Sequence, residues 1–245
     1  MKDVVIDSKG IHYKVLNFMI EDAINAGAEK IVLENVNGQR FLLDGVNADV
    51  ELEVHGTAGD DLAAFMNGPR VTVYGNVQDG VGNTMNRGLV VIHGDGRDIV
   101  GHSMRGGKIF IKGDVGYRVG IHMKQYEDNY PIVVAGGTAM DFLGEYMAGG
   151  VVLILNTKDV PFTGDWVGTG IHGGVIYVRG DVPESLLGIG AKATDLEDSD
   201  KALIKELTEE FSSYFGVDPK PIYESKFTKI VPISHRPYAK MYTDD

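Results

Sequence analysis

The chain has 245 residues, a formal net charge of −12 and no cysteine. The missing thiols exclude disulfides, thiolate metal sites and cysteine-ligated iron–sulfur clusters on this chain. The acidic charge argues against nucleic acid or an anionic membrane as the main partner. The first 30 residues lack the apolar run of a signal peptide, and no stretch approaches a membrane span. We therefore expect a cytoplasmic protein.

The N-terminal part, residues 1–46, is predicted to be a small α/β cap. A helix is predicted over residues 13–26, because Leu16 and Ile20 recur at helical spacing and Gly27 can end it. The stretch KIVLENVNGQRFLLDG that follows is predicted to form a hairpin or a strand pair.

Residues 47–182 contain a repeat, in which short apolar runs end in glycine or asparagine. The first three intervals between these ends are 19 residues long, and the later ones are longer by 4, 1 and 5 residues. A 19-residue unit is too short for a crossover helix and fits one coil of a parallel β-helix. We therefore predict a single-stranded parallel β-helix of about seven coils. The terminal residues of the runs are Gly56, Gly75, Gly94, Gly113, Gly136, Asn156 and Gly180.

Side-chain alternation along these runs predicts which residues point into the β-helix. The residues two and four positions before each terminal residue are all aliphatic, so they should form an inward ladder. Met85, Met104, Met147 and Ile171 are predicted to form another core stack. The ladder consists of Leu52, Val54, Val71, Val73, Val90, Ile92, Ile109, Ile111, Ile132, Val134, Val152, Ile154, Ile176 and Val178.

A second repeated segment reads VGNTMNRG, VGHSMRGG, LGEYMAGG and VGTGIHGG. Its last copy holds Gly168, Gly170 and Gly173, which match the dinucleotide pattern G-x-G-x-x-G. That pattern carries weight only between a buried strand and a helix, whereas here a turn-like stretch precedes it and a strand-like stretch follows. We interpret it as a β-helix corner and expect Gly101, Gly120, Gly144 and Gly168 to occupy one structural position.

Residues 183–245 are predicted to form a C-terminal helix and an extended tail that pack on the β-helix or on a partner. The helix, in DSDKALIKELTEEFSSYFG, carries an apolar stripe of Leu203, Leu207, Phe211 and Phe215. A matching outward stripe runs from Val91 to Tyr177 on the predicted strands. We expect this helix or the N-terminal one to cover it, or else a second copy or a partner. The outward positions are Glu53, Thr72, Val91, Phe110, Val133, Leu153 and Tyr177.

The histidines give no metal or catalytic pattern. His55 and His93 are predicted to point outward with a tyrosine between them, and His102 and His172 lie about three coils apart, too far to share a metal ion. His122 follows a similar turn. We predict no catalytic, cofactor-binding or metal-binding residues on this chain.

Aspartates follow several terminal glycines and have two interpretations. Stacked carboxylates could bind calcium or cleave polysaccharide, or they could close turns by accepting backbone hydrogen bonds. The interchange with threonine and asparagine favours turn closure. The residues at this position are Asp95, Asp114 and Asp181, with Thr57, Asn76 and Thr157.

The repeat unit resembles the glycine-repeat domain at the C-terminal end of the glutamate synthase large subunit. The similarity covers roughly residues 45–182 and is best in GNTMNRGLVVIHGDGRDIVGHSMRGGKIFIKGDVGYRVGIHM and in GEYMAGGVVLILN. The second stretch is similar to that family's EYM-x-GG segment, carried here by Glu145, Tyr146, Met147, Gly149 and Gly150. The repeat also resembles the subunit of formylmethanofuran dehydrogenase that carries the same glycine repeat.

The first resemblance implies a right-handed parallel β-helix without catalytic residues. It implies a structural subunit of a split glutamate synthase, with FMN and iron–sulfur clusters on partner chains. The sequence itself leaves open whether the chain also forms a homo-oligomer. A scaffold of formylmethanofuran dehydrogenase is the alternative. An alternative of another class is a β-helix hydrolase or lyase that acts on polysaccharide.

Overall fold

The computed structural model of the protein describes residues 3–234. Eleven strands form one sheet in the order β1 to β9, then β11 and β10. The strands are β1 (Asp3–Asp7), β2 (Lys30–Asn37), β3 (Glu51–Thr57), β4 (Asn67–Tyr74), β5 (Arg87–Ile92), β6 (Lys108–Ile111), β7 (Ile132–Ala135), β8 (Ala148–Ile154), β9 (Gly173–Arg179), β10 (Ala191–Thr194) and β11 (Phe227–Pro232). The helices are α1 (Tyr13–Asn25), α2 (Asp198–Phe215) and α3 (Lys220–Tyr223), with a 3-10 turn at Glu184–Leu186.

Strands β2 to β9 each pair in parallel with the next strand along the chain. The seven pairings make a β-solenoid of about seven turns, which confirms the predicted parallel β-helix. Within residues 3–234, no helix has the length and hydropathy needed to cross a bilayer.

The solenoid interior is filled by the predicted ladder. Twelve of the fourteen predicted residues belong to the interior core cluster, as do Met85, Met104, Met147 and Ile171. Burial of each such side chain contributes roughly 1.5–3 kcal/mol before chain entropy is counted. The methionine stack also contains Met66 and Met123, which are fully buried.

The prediction was wrong in strand β7, where Ile132 and Val134 face outward and Val133 faces inward. Ile111 pairs with Ala135, so the residue equivalent to Gly113 is Gly137 and not Gly136. All four residues of β7 are buried on one face or the other. A strand that is buried on both faces shows no polar–apolar alternation. The sequence therefore contained no sign that Gly136 was not the terminal residue, and this shift by one position reversed the predicted faces of β7.

With this correction the coil lengths become regular. Successive paired residues Ile111, Ala135, Ile154 and Val178 lie 24, 19 and 24 residues apart. The longer coils thus each add five residues to the 19-residue unit.

The hairpin predicted after α1 is also wrong. Strand β2 pairs in parallel with both β1 and β3, with Leu33 beside Val54. Gly38 has a φ of +80°, and the chain after it passes into the first corner of the solenoid instead of turning back. The Asn-Gly pair that favours a two-residue hairpin serves here as the end of a coil.

Helix α2 covers the outer face of the later strands, which confirms that part of the predicted packing. Phe110 and Leu153 are 0% exposed, and they share a second core cluster with Leu207, Phe211 and other residues of α2. The helix begins with a capping box between Glu197 and Asp200 and ends at Gly216, whose φ is +69°.

The chain after α2 returns to the sheet through α3. Strand β11 pairs antiparallel with β9, and β10 pairs antiparallel with β11. Part of the predicted extended tail, residues 235–245, lies outside the described residues.

Candidate functional site

The second repeated segment forms one corner of the solenoid, and its central glycines share one position as predicted. The amide of Gly101 donates to the carbonyl of Val81 at 2.8 Å, and the amide of Gly120 donates to Val100 at 2.8 Å. Each bond joins a glycine to the residue before the equivalent glycine one coil earlier. The φ angles of Gly101, Gly120, Gly144 and Gly168 are +72°, +74°, +69° and +70°.

Positive φ recurs at alternate residues in each corner. In the corner around Gly101, Ile99 has a φ of +52° and Ser103 a φ of +53°. A β-branched residue such as isoleucine is seldom found in this conformation. The inter-coil hydrogen bonds hold it there, since Ile99 donates to the carbonyl of Tyr117 at 2.8 Å. The left-handed positions explain why each of these corners has a glycine at its centre.

The G-x-G-x-x-G pattern is part of this corner. Gly168 and Gly170 have positive φ, and Gly173 is the first residue of strand β9. A dinucleotide fingerprint needs a strand before the glycines and a helix after them. Here the glycines lead into a strand, as predicted for a corner.

Two rows of polar side chains connect neighbouring coils along the solenoid. In the predicted row, Asp95 Oδ1 accepts from the amide of Asp114 at 2.9 Å, and Asp114 Oδ1 accepts from the amide of Thr138 at 2.8 Å. A second row, which sequence reasoning missed, joins Asp79 to Asp98 and Asp98 to Tyr117 at 3.2 and 3.0 Å. The carboxylates therefore accept backbone hydrogen bonds, as the structural interpretation predicted, but the donors lie one coil further on and not in the residue's own turn.

Cations neutralise some of these carboxylates. Lys158 lies 2.6 Å from Asp114, while Lys226 pairs with Asp181. Burial opposes ionisation of Asp114, but the Lys158 ammonium and the Thr138 amide together hold its pKa below the usual value. Within residues 3–234, no group of three histidine or acidic side chains has a metal-binding arrangement.

The outward histidines belong to aromatic stacks. His55 and His93 lie on either side of Tyr74, with ring centroids 5.0 and 4.7 Å from it. His122 stacks on Tyr146 at 5.4 Å, and burial together with the neighbouring His122 lowers the pKa of His102. His172 Nδ1 lies 2.7 Å from the carbonyl of Gly170.

Further stacked rings lie on the corner of the later coils, in two groups: Tyr146 on His122, and Phe142 on Trp166. We call Arg118, Phe142, Tyr146 and Trp166 the corner surface. The Arg118 guanidinium lies 4.6 Å from the Phe142 ring centroid, and Phe142 stacks on Trp166 at 4.9 Å. Tyr146 is 41% exposed and Trp166 is 51% exposed. Glu145 receives a hydrogen bond from Arg118 at 2.6 Å and fixes the guanidinium.

Sequence reasoning did not find the corner surface. The signal was present as the spacing of 24 residues between Arg118, Phe142 and Trp166, which is one long coil. The side chains of equivalent residues in successive coils stack, so this spacing brings the guanidinium and the two rings together.

A buried network fixes α2 to the sheet. The Tyr177 hydroxyl donates to Asp200 Oδ1 at 2.5 Å, and Lys229 Nζ lies 2.7 Å from Asp200 Oδ2. Burial opposes ionisation of Asp200, but hydrogen bonds from Lys229, Tyr177 and the Glu197 amide outweigh it and lower its pKa. Burial and the Asp200 carboxylate raise the pKa of Tyr177. The three groups connect β9, β11 and α2, which indicates an anchoring role.

Comparison with known proteins agrees with this geometry. The sequence model described as the GXGXG motif matches residues 25–233. A protein of Methanocaldococcus jannaschii, described as uncharacterized, is 50% identical over 256 aligned residues, which cover 100% of this chain and 98% of that protein. The match includes the corners, the strands and helix α2. The chain therefore belongs to the GXGXG motif family, which is the family of the glutamate synthase C-terminal domain.

Proposed function

We propose that the chain is a non-catalytic structural subunit of a split glutamate synthase. In this role it holds a glutaminase part and an FMN-dependent part that aminates 2-oxoglutarate, both on partner chains. Membership of the GXGXG family supports the link to glutamate synthase. The polar rows support a structural role, because the carboxylates of Asp79, Asp95, Asp98 and Asp114 accept backbone hydrogen bonds between coils.

The observation that carries the proposal is the corner surface. Rings such as Trp166 and Tyr146 are held in fixed stacks, yet about half of each side chain is open to solvent. Exposed aromatic rings that are held rigidly are a common feature of protein-binding surfaces, where they contribute much of the affinity. We assign this surface to contact with a catalytic chain of the synthase.

The first experiment is purification of the affinity-tagged full chain from its native cell, followed by mass spectrometry. We expect glutamate synthase catalytic chains in the eluate. Formylmethanofuran dehydrogenase chains in their place, or cleavage of polysaccharide by the purified chain, would contradict the proposal.

The second experiment tests the corner surface with matched variants. Tyr146→Ala is expected to weaken capture of the catalytic chains by roughly tenfold or more, as for an aromatic residue central to an interface. Phe65→Ala is the control, because Phe65 has a φ of +54° against +51° for Tyr146 and is also exposed, but it lies on an early coil. Equal effects of the two changes would remove the corner surface from the proposal.

A further inference from the structure

Helix α1 has an apolar face that no described residue covers. Its inner face carries Leu16 and Ile20, which are buried in the interior core. On the other side, Val15, Phe18 and Met19 are 53%, 65% and 37% exposed. Three large apolar side chains at i, i+3 and i+4 form one continuous patch on a helix. Such patches mark contact surfaces.

The position of α1 restricts what can cover it. The helix lies beside the first coil, where Asn17 Nδ2 donates to the carbonyl of Arg40 at 3.0 Å, whereas residues 235–245 follow strand β11 in sequence, and β11 is near the opposite end of the sheet. Nine strand spacings separate β1 from β11, which is about 43 Å at 4.8 Å per spacing. Eleven residues span at most about 40 Å when fully extended. The C-terminal segment would have to be fully extended along the whole sheet to approach α1, which favours another molecule as the cover.

The charges on either side of the apolar patch point to a second copy of this chain as the covering molecule. Lys14, Phe18 and Asp22 lie at i, i+4 and i+8 along one exposed row of α1. The lysine and the aspartate are equally far from Phe18 and opposite in sign. If two α1 helices pack antiparallel about a two-fold axis at Phe18, each Lys14 therefore lies opposite an Asp22 of the other copy. The pattern is self-complementary, as a symmetric dimer contact requires.

Lys14 and Asp22 do not stabilise helix α1 itself. The first turn of α1 has no acidic residue and the last turn has no basic one, while Lys14 is at the start and Asp22 near the end. The helix dipole favours the reverse arrangement. Neither side chain has an ion-pair partner among residues 3–234.

We propose that α1 is a self-association surface, through which two copies of the chain pack antiparallel with Phe18 at the centre and reciprocal Lys14–Asp22 ion pairs. A 13-residue helix presents less area than the roughly 800 Å² per partner of a standard interface. Association in the micromolar range is therefore expected. This inference does not depend on the proposed function.

Sedimentation equilibrium of the full chain between about 1 and 100 μM tests the proposal. The native chain is expected to pass from monomer to dimer over this range. Phe18→Glu is expected to remain monomeric, and Lys14→Glu or Asp22→Lys alone should weaken the dimer roughly tenfold, since each change makes two repulsive pairs. Lys205→Glu, on the exposed side of α2, is the control and should leave the dimer unchanged.

Mixing the two single charge variants gives the sharpest result. In a mixed pair the introduced glutamate lies opposite the introduced lysine, and the retained Lys14 lies opposite the retained Asp22. An equimolar mixture of the Lys14→Glu and Asp22→Lys chains should therefore dimerise about as tightly as the native chain, whereas each variant alone should associate roughly tenfold more weakly. Both changes improve the match to the helix dipole, so loss of α1 cannot explain a loss of dimer. A native chain that stays monomeric at 100 μM, or a dimer that ignores these charges, overturns the proposal.

Discussion

The corner glycines have two separate constraints, and replacement of Gly144 by alanine should measure both. Gly144 has a φ of +69°, a conformation that costs a residue with a Cβ about 1 kcal/mol. A Cβ at this position would also lie 2.3 Å from Cδ1 and 3.1 Å from Cγ1 of Ile176, across the solenoid interior. Overpacking of a close-packed core costs about 1–3 kcal/mol. Gly144→Ala is therefore expected to lower the free energy of unfolding by about 2–4 kcal/mol.

Gly45 is the matched control for the backbone term. Its φ is +68°, and a Cβ there would meet nothing within 4 Å. Gly45→Ala should therefore cost only about 1 kcal/mol. The difference between the two alanine variants is the packing term.

The double variant Gly144→Ala/Ile176→Val tests the assigned contact. Valine lacks the Cδ1 atom that lies closest to the new methyl group. Ile176→Val alone should cost about 1 kcal/mol, but the double variant should be at least ~1 kcal/mol more stable than the sum of the single effects. Urea unfolding followed by circular dichroism measures all four chains. Equal losses at Gly144 and Gly45, or strictly additive effects in the double variant, would refute the reasoning.

Three further predictions concern the polar rows and helix α2. Asp98→Ala should cost about 1 kcal/mol in thermal unfolding, because the Tyr117 amide loses its acceptor, while Asp98→Asn should keep most of it; a larger loss in the asparagine variant would contradict this. Asp200→Asn should cost about 2 kcal/mol at pH 7. The pKa of Asp200 is lowered in the folded chain, so the stability difference between the native chain and Asp200→Asn should be full above about pH 4 and should decrease as the pH drops through the folded pKa. A stability difference that stays constant down to about pH 2 would count against the Asp200–Lys229 pair. Phe211→Ala should cost about 3–5 kcal/mol and speed proteolysis within α2, and unchanged proteolysis would show that the helix is held without this ring.

The repeat was enough to predict the solenoid, because apolar side chains at period two and glycines at a fixed interval report on packing that repeats from coil to coil. The prediction from the repeat failed at Gly136 and Gly137, two adjacent residues that both have to be glycine. A Cβ on Gly137 would collide with Asp114 of the adjacent coil, and a Cβ on Gly136 would lie 2.3 Å from the carbonyl oxygen of Lys112 in that coil and 2.5 Å from the Phe211 ring of α2. Both positions therefore require glycine, and the sequence does not show which of the two is the equivalent of Gly113.

The corner conformation was predictable only in part. The glycines at positions 101 and 168 indicate a positive φ. Ile99 and Trp166 have φ angles of +52° and +56°, which their residue types do not indicate. The backbone of Ile99 is held by a hydrogen bond to Tyr117 in the neighbouring coil, which local sequence does not encode. The rings of the corner surface stand at such positions, where no glycine indicates the corner, and only the 24-residue spacing of Arg118, Phe142 and Trp166 predicts that they meet.

The length of the solenoid is fixed by its number of coils. Seven steps of about 4.8 Å separate β2 from β9, a length of about 34 Å. The carboxylate rows, the corner glycines and the interior ladder all have to match the adjacent coil, so the chain can lengthen or shorten only by whole coils. The five-residue additions in the 24-residue coils leave this axial rise unchanged. The separation between the two ends of the molecule is therefore quantised in units of one strand spacing, and evolution of any assembly built on it must proceed in those steps.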